Sequence, residues 1–223
     1  MSTLDTAPAK RPLRISLTGR HVSILPLKLA KHGEDLWDAT CGEKNDALWE
    51  YLLEGPFANR QVFNISLKTM ESSEDPLYLA IVDNATQKAT GRASFMRIEP
   101  KHRCVEVGGI LFSPRLQRTP GATEAMYLMM RCAFEELGNR RYEWKCNALN
   151  EPSRRAALRL GFTFEGIFRQ HMIVKGRNRD TAWFSMIDEE WPAAKRAFEK
   201  WLAPENFSAS GEQKQTLEAL RRS

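Results

Sequence analysis

The chain has 223 residues, 42% hydrophobic and 27% charged, and its 33 Lys and Arg against 28 Asp and Glu leave a net charge of +5. Length and composition suit one globular domain with tails, large enough to bury a sizeable core. No run approaches the about 18 apolar residues of a membrane helix, and Met1–Pro12 has neither an apolar signal stretch nor a basic amphipathic pattern, so no membrane partner is expected.

Met1–Arg14, with Pro8 and Pro12, is expected to be a flexible tail, residues 15–203 the domain, and residues 204–223 a polar extension. His21–Leu27 predicts a first strand, and Leu29–Ala39, Asp46–Leu53 and Arg60–Glu71 predict helices. Beyond Pro76, Leu77–Val82 and Thr90–Ile98 predict a hairpin, and Arg103–Phe112 a third apolar strand after the turn at Glu99-Pro100. Ala122–Leu137 predicts an amphipathic helix closed by Gly138. Tyr142–Ala148 follows as a strand, then a helix capped by Asn150 and ended by Gly161. Phe162–Ile173 and Thr181–Ile187 predict a final strand pair around a Lys175–Asp180 turn, and Trp191–Leu202 a last amphipathic helix. This order describes a mixed α/β domain, neither a doubly wound parallel sheet nor a barrel.

Cys41, Cys104, Cys132 and Cys146 match neither a zinc spacing nor a secreted disulfide framework, so reduced thiols, a cytoplasmic location and no metal are expected. The basic residues are scattered, apart from Arg115–Arg118, Arg154-Arg155 and Lys175–Arg179, and form no nucleic-acid-binding motif. A small polyanion accounts for the charge at least as well as a duplex does, and nucleic acid is not the expected partner.

The segment most suggestive of chemistry is Arg115–Glu124, between a strand and a helix. A turn ending in Gly121-Ala122-Thr123 leaves backbone N–H groups without intrahelical partners. With the helix dipole, Arg115 and Arg118, these groups suit a pyrophosphate; an ordinary basic loop is the alternative.

The runs VEVGGILFSPRLQRTPGATEA, EWKCNALNEPSRRAALRLGFTFEGIFRQHM and GRNRDTAWFSMIDEEW, in this order over about residues 105–191, resemble the GNAT superfamily of acyl-CoA N-acyltransferases, in particular its Rim-type ribosomal-protein N-acetyltransferase branch. The resemblance implies an α/β (α+β) fold: a mixed, mostly antiparallel sheet of six to seven strands, splayed at strands 4 and 5, with helices on both faces. It further implies acetyl-CoA as acyl donor, an amine-bearing acceptor, and a monomer or homodimer. Gly108-Gly109 suits the bulge of the splayed strand, or a simple bend. By the same resemblance, backbone groups of Ile110, Leu111 and Phe112 would pair with pantetheine, and N–H groups of Arg118, Gly121, Ala122 and Thr123 would take the pyrophosphate. Pro120, which has no N–H, departs from the family loop. Asn150 would bond the pantetheine, Ser153 would lie near the sulfur, and Arg154 would reach the adenosine phosphates. Asn150 as a plain helix cap stands beside that reading.

Acetyl transfer needs a free amine, a donor for the developing oxyanion and a proton for the leaving thiolate. The family's usual Tyr is replaced by Ala157, which makes Ser153 the expected sulfur partner. Glu106 is the first candidate base, His171 the second and Glu165 the third, with a base-free or water-relayed route also open. The function expected is N-acetylation of a small-molecule amine or protein N-terminus by direct attack in a ternary complex. A different acyl-CoA and a non-catalytic CoA sensor remain the alternatives.

Overall fold

In the computed structural model, which describes residues 6–222, the alternating apolar segments assemble into one sheet. Its strands are β1 (Leu17–Thr18), β2 (Val22–Pro26), β3 (Leu77–Asp83), β4 (Ala89–Glu99), β5 (Cys104–Phe112), β6 (Arg141–Asn147), β7 (Thr163–Val174) and β8 (Arg177–Ile187). They lie in the order β1-β2-β3-β4-β5-β6-β8-β7, antiparallel except for β5 with β6.

Eight strands replace the expected six to seven. The additional β1 is two residues long, too short to show an alternation in the sequence. A carboxylate holds the turn after it: Glu124 accepts the N–H groups of Arg20, His21 and Val22 at 2.7, 2.6 and 2.9 Å. A second correction concerns the last hairpin. Its turn is only Lys175-Gly176, so Arg177–Asp180 belong to β8.

Alternation along β3 divides the core. Leu77, Leu79 and Ile81 face one layer, with α3 (Pro120–Arg131), α4 (Glu151–Leu160) and α5 (Trp191–Leu202). Ala80 and Val82 face the other, with α1 (Leu29–Thr40) and α2 (Arg60–Ser72). Between α1 and α2, where a short helix is expected over Asp46–Leu53, the helix lies a few residues earlier, as a 3-10 helix over Glu43–Trp49. Asn45 and the Trp49 indole donate to the Cys41 and Thr40 carbonyls at 2.9 and 2.7 Å, tying this segment tightly to the end of α1.

Both ends of the described chain lie against the domain. Ala9 and Lys10 N–H groups donate to Pro100 and Leu137 carbonyls at 3.0 and 2.8 Å. At the other end, α6 (Leu217–Arg222) buries Leu217, and Arg221 donates to the Arg159 carbonyl.

The sheet opens between β5 and β6. They pair from Cys104↔Arg141 to Val107↔Trp144 and then part, although each strand continues. On the opposite side of β5, the pairs Arg92↔Leu111 and Ser94↔Gly108 set three steps of β5 against two of β4. One extra residue is therefore accommodated beside Gly109, whose φ is +57°. Arg92 Nη1 donates to the Gly109 carbonyl at 2.8 Å, and Ser94 Oγ to that of Gly108 at 2.9 Å. A Cβ on Gly109 would lie 3.0 Å from the Tyr78 ring. Gly109→Ala is thus expected to destabilise the domain by about 1–2 kcal/mol, read as a lower denaturant midpoint at unchanged slope; an unchanged midpoint would show that the bulge carries no such demand.

Candidate active site

Four short segments converge on the opening: β5 beyond Gly108, the end of β6, the first turn of α3 and the first turn of α4. Past Val107 and Trp144, the facing edges of β5 and β6 present backbone N–H and C=O groups that do not pair with each other. Ile110 and Phe112 are half-buried along this edge, while the Leu111 side chain is buried with α1 and α2.

The first turn of α3 offers fewer donors than expected. Thr119 is the cap, and its hydroxyl accepts the Ala122 N–H at 3.2 Å. Pro120 has no N–H. Thr123 follows as the fourth helical residue. Of the four expected donors, Ala122 is taken by the cap, whereas the Arg118 and Gly121 N–H groups have no partner among the described residues, the former turned by a φ of +60°. The Arg115 and Arg118 side chains are exposed beside them. Arg159 of α4 adds a cation that the sequence reading missed, donating to Thr123 Oγ1 at 3.1 Å.

In α4 the Asn150 side-chain oxygen caps the helix through the Ser153 N–H at 3.1 Å. Its amide NH2 has no partner among the described residues. Ser153 Oγ accepts from Trp144 Nε1 at 3.0 Å, and its hydroxyl also lies within hydrogen-bond reach of the Cys146 sulfur. Arg154 does not extend freely toward a phosphate: it pairs with Glu151 at 2.8 Å and reaches the Ala148 carbonyl at 3.4 Å. The spacing that places Glu151 three residues earlier favours this local pair. Ala157 is fully buried.

Across the sheet, the residues alternating with core Val105, Val107, Tyr142 and Trp144 carry charge. Glu106, only 3% exposed, receives Arg97 Nη1 at 2.6 Å and Lys145 Nζ at 2.9 Å, both on Oε2. Its Oε1 stands 3.4 Å from where a Gly108 Cβ would be, facing the bulge. Lys145 also pairs with Glu143 at 2.6 Å and lies 3.9 Å above the Trp183 ring. Burial opposes ionisation of Glu143, but hydrogen bonds from Lys145 and Arg141 hold its carboxyl below the usual range. Glu165 is bound by both Arg141 terminal nitrogens, at 2.8 and 2.5 Å, and by Ser185 at 2.7 Å. The Arg141 bonds come first in depressing its pKa, so Glu165 is a committed structural carboxylate and a poor base. Exposed His171 sits on a bulge of β7 with Nδ1 2.9 Å from Thr181 Oγ1, its ring 6.0 Å from that of Trp183.

The structure therefore brings Glu106 and His171 to one side of the sheet and Asn150 and Ser153 to the other, with the opening between them. Two bridges cross its margin: Lys175 Nζ donates to the Trp49 carbonyl at 2.7 Å, and the Tyr51 hydroxyl to that of Leu149 at 3.4 Å. Among the described residues, no cluster of His, Cys, Asp or Glu could hold a metal ion.

Residues 30–163 match the acetyltransferase (GNAT) domain. The chain belongs to the GNAT acetyltransferase family. It is similar to a GCN5-related N-acetyltransferase from Brucella melitensis, 49% identical over 98% of this chain and 99% of that one, with a TM-score of 0.96. A protein described as a probable GNAT acetyltransferase from Chromobacterium violaceum is 38% identical over 86% of this chain and 96% of its own, with a TM-score of 0.80. The uncharacterized N-acetyltransferase YoaA of Bacillus subtilis is 31% identical over 46% of this chain, a match that spans only 57% of YoaA. Ribosomal-protein acetyltransferases from two Vibrio species share the fold at 17% and 18% identity.

Sequence reasoning did not single out Arg92. This GNAT chain buries it to 1% exposure, ion-paired with Glu54 and lying 5.4 Å from the Tyr78 ring and 5.8 Å from that of Trp49. The available signal was an Arg amid the small and apolar residues of the first half of β4. Arg92→Met would leave Glu54 and the Gly109 carbonyl unpartnered and is expected to cost about 3–5 kcal/mol. A double-mutant cycle with Glu54→Gln, followed by denaturation, should recover part of that loss; strict additivity would count against the pairing.

Proposed function

We propose that the chain is an acetyl-CoA-dependent N-acetyltransferase that acylates a primary amine, of a small molecule or a protein N-terminus, by direct attack in a ternary complex. The observation that carries this reading is the unpaired β5–β6 opening beside the α3 N-terminus. Backbone groups of Ile110, Leu111 and Phe112 suit the pantetheine amides, as the missing strand would. The Arg118 and Gly121 N–H groups suit the pyrophosphate, with Ala122 contributing what its cap leaves; Arg115, Arg118 and Arg159 supply positive charge. The Thr123 N–H is a further candidate, and Arg154, paired with Glu151, has no part in that set.

Acetyl-CoA, when bound, supplies the activated acyl group. The protein's own contribution is positional. The Ile110 N–H, directed by the bulge, is the donor for a developing oxyanion. The Asn150 amide donates toward the pantetheine, and the Ser153 hydroxyl, whose oxygen already accepts from Trp144, donates toward the sulfur. On the other side of the sheet, Glu106 Oε1 accepts from the incoming ammonium while Oε2 stays bound by Arg97 and Lys145. His171 is the second candidate for carrying the proton outward. The four free cysteines suit a reducing compartment, and the cytoplasm is the proposed location.

Calorimetry with acetyl-CoA and thiol release over an amine panel test the whole reading. No cofactor binding at millimolar concentration would overturn it, whereas tight binding without turnover of any amine would favour a CoA sensor. Asn150→Ser keeps a capping oxygen but loses the amide donor, so stability should stay within about 0.5 kcal/mol. Its acetyl-CoA affinity should fall about tenfold; equal affinity would leave Asn150 a cap alone. Glu106→Gln should lower kcat by about 100-fold with cofactor Kd nearly unchanged, and an unaltered kcat would remove Glu106 from proton transfer.

A further inference from the structure

Among the charged side chains of the open face, three cations are neutralised and one is not. Arg97 pairs with Glu106, Lys145 with Glu106 and Glu143, and Arg141 with Glu143 and Glu165. Arg179 has no hydrogen bond or ion pair among the described residues, and its Nε is shut off from solvent without an acceptor. Four cations against three carboxylates leave one positive charge uncompensated. Burial lowers the pKa of Arg179, against which the Cys146 thiol and then Glu106 act only weakly. The position is deliberate in the fold: β8 is regular here, so Arg179, Thr181, Trp183 and Ser185 share the face that carries Lys145 and Glu143. Trp183 repeats the anomaly, with a buried Nε1–H that lacks an acceptor. Buried donors are rarely left unpaired, and a half-buried guanidinium without a counter-ion is a cost that a ligand would relieve.

We propose that Arg179 is a specificity residue that binds a carboxylate on the acceptor, with Trp183 Nε1 as a further donor, so that the substrate is a small amine of the amino-acid class. This rests on the transferase reading above and narrows its acceptor. The single uncompensated charge matches a monoanionic carboxylate, and a phosphate dianion would overshoot it. A protein N-terminus presents a neutral peptide carbonyl in that place and leaves the guanidinium unpaired. Placing the ammonium at Glu106 and the carboxylate at Arg179 orients the acceptor by both ends, which fixes its amine before the acyl group.

The test compares proteinogenic L-amino acids with their carboxamides and the matching decarboxylated amines, at saturating acetyl-CoA, in wild type, Arg179→Met and Arg179→Lys. Wild type should favour the best amino acid over both neutral analogues by about tenfold or more in kcat/KM. In Arg179→Met that ratio should collapse toward one through a raised KM, and Arg179→Lys should restore part of it. Equal use of charged and neutral amines by wild type, or an intact preference in Arg179→Met, overturns the proposal. Denaturation of the variants checks folding, and replacing a half-buried unpaired cation by Met should not lower stability. Should no amine release CoA, the transferase reading fails separately. Quenching of tryptophan fluorescence by the same amino acids then reads the site: saturable binding weakened about tenfold in Arg179→Met supports it, and its absence overturns it.

Discussion

A bulged strand held by a buried guanidinium is the constraint on which the rest depends. Parallel strands cannot be joined by a tight turn, so β5 and β6 meet only after α3 has crossed the sheet. With one residue too many in β5, that pairing lasts from Cys104 to Val107 and then fails. Elsewhere in a sheet, unpaired backbone would be a liability. Here Arg92 draws in the Gly109 carbonyl while Glu54 balances the charge, so the irregularity is fixed in place. The same arrangement ties the opening to the 3-10 segment between α1 and α2, since Arg92 packs on Trp49.

The opening separates two chemical environments. On the α3–α4 side, backbone donors, a capping Asn and a Ser hydroxyl meet exposed arginines, which suits a long phosphorylated thioester. On the other side, β4, β5, β6 and β8 present a nearly continuous ionic layer instead of a helix-covered apolar face. Burying ion pairs in this way contributes little to stability compared with apolar packing. The layer is therefore better understood through what it positions: Glu106 at the bulge, and Lys145 over Trp183.

Much of this was legible in the sequence, and the failures have physical causes. The apolar alternation gave the long strands, and the family resemblance made Gly108-Gly109 either a bulge or a simple bend, of which the structure has the bulge, with Gly109 left-handed. Cap residues placed α4 correctly at Asn150. In α3, by contrast, the donor set was overcounted: which N–H groups remain free depends on where the helix begins, and Thr119 rather than Gly121 turned out to be its boundary. The two-residue β1 left no period to detect. Arg154 and Glu165 were read as available because ion pairing across α4 and between strands is a tertiary matter.

Arg179 shows the same limit most clearly. Reading Lys175–Asp180 as a turn placed Arg179 in the loop between the two strands. The turn needs only Lys175-Gly176, with φ values of +51° and +71°, and the strand resumes at Arg177. Once Arg179 belongs to a strand, its side chain is no longer free to choose its surroundings: the two-residue period fixes it to the face of Trp183 and Ser185. A shift of a few residues in one element boundary thus converts a surface charge into an oriented, half-buried one, and the difference between solubility and recognition lies in that register.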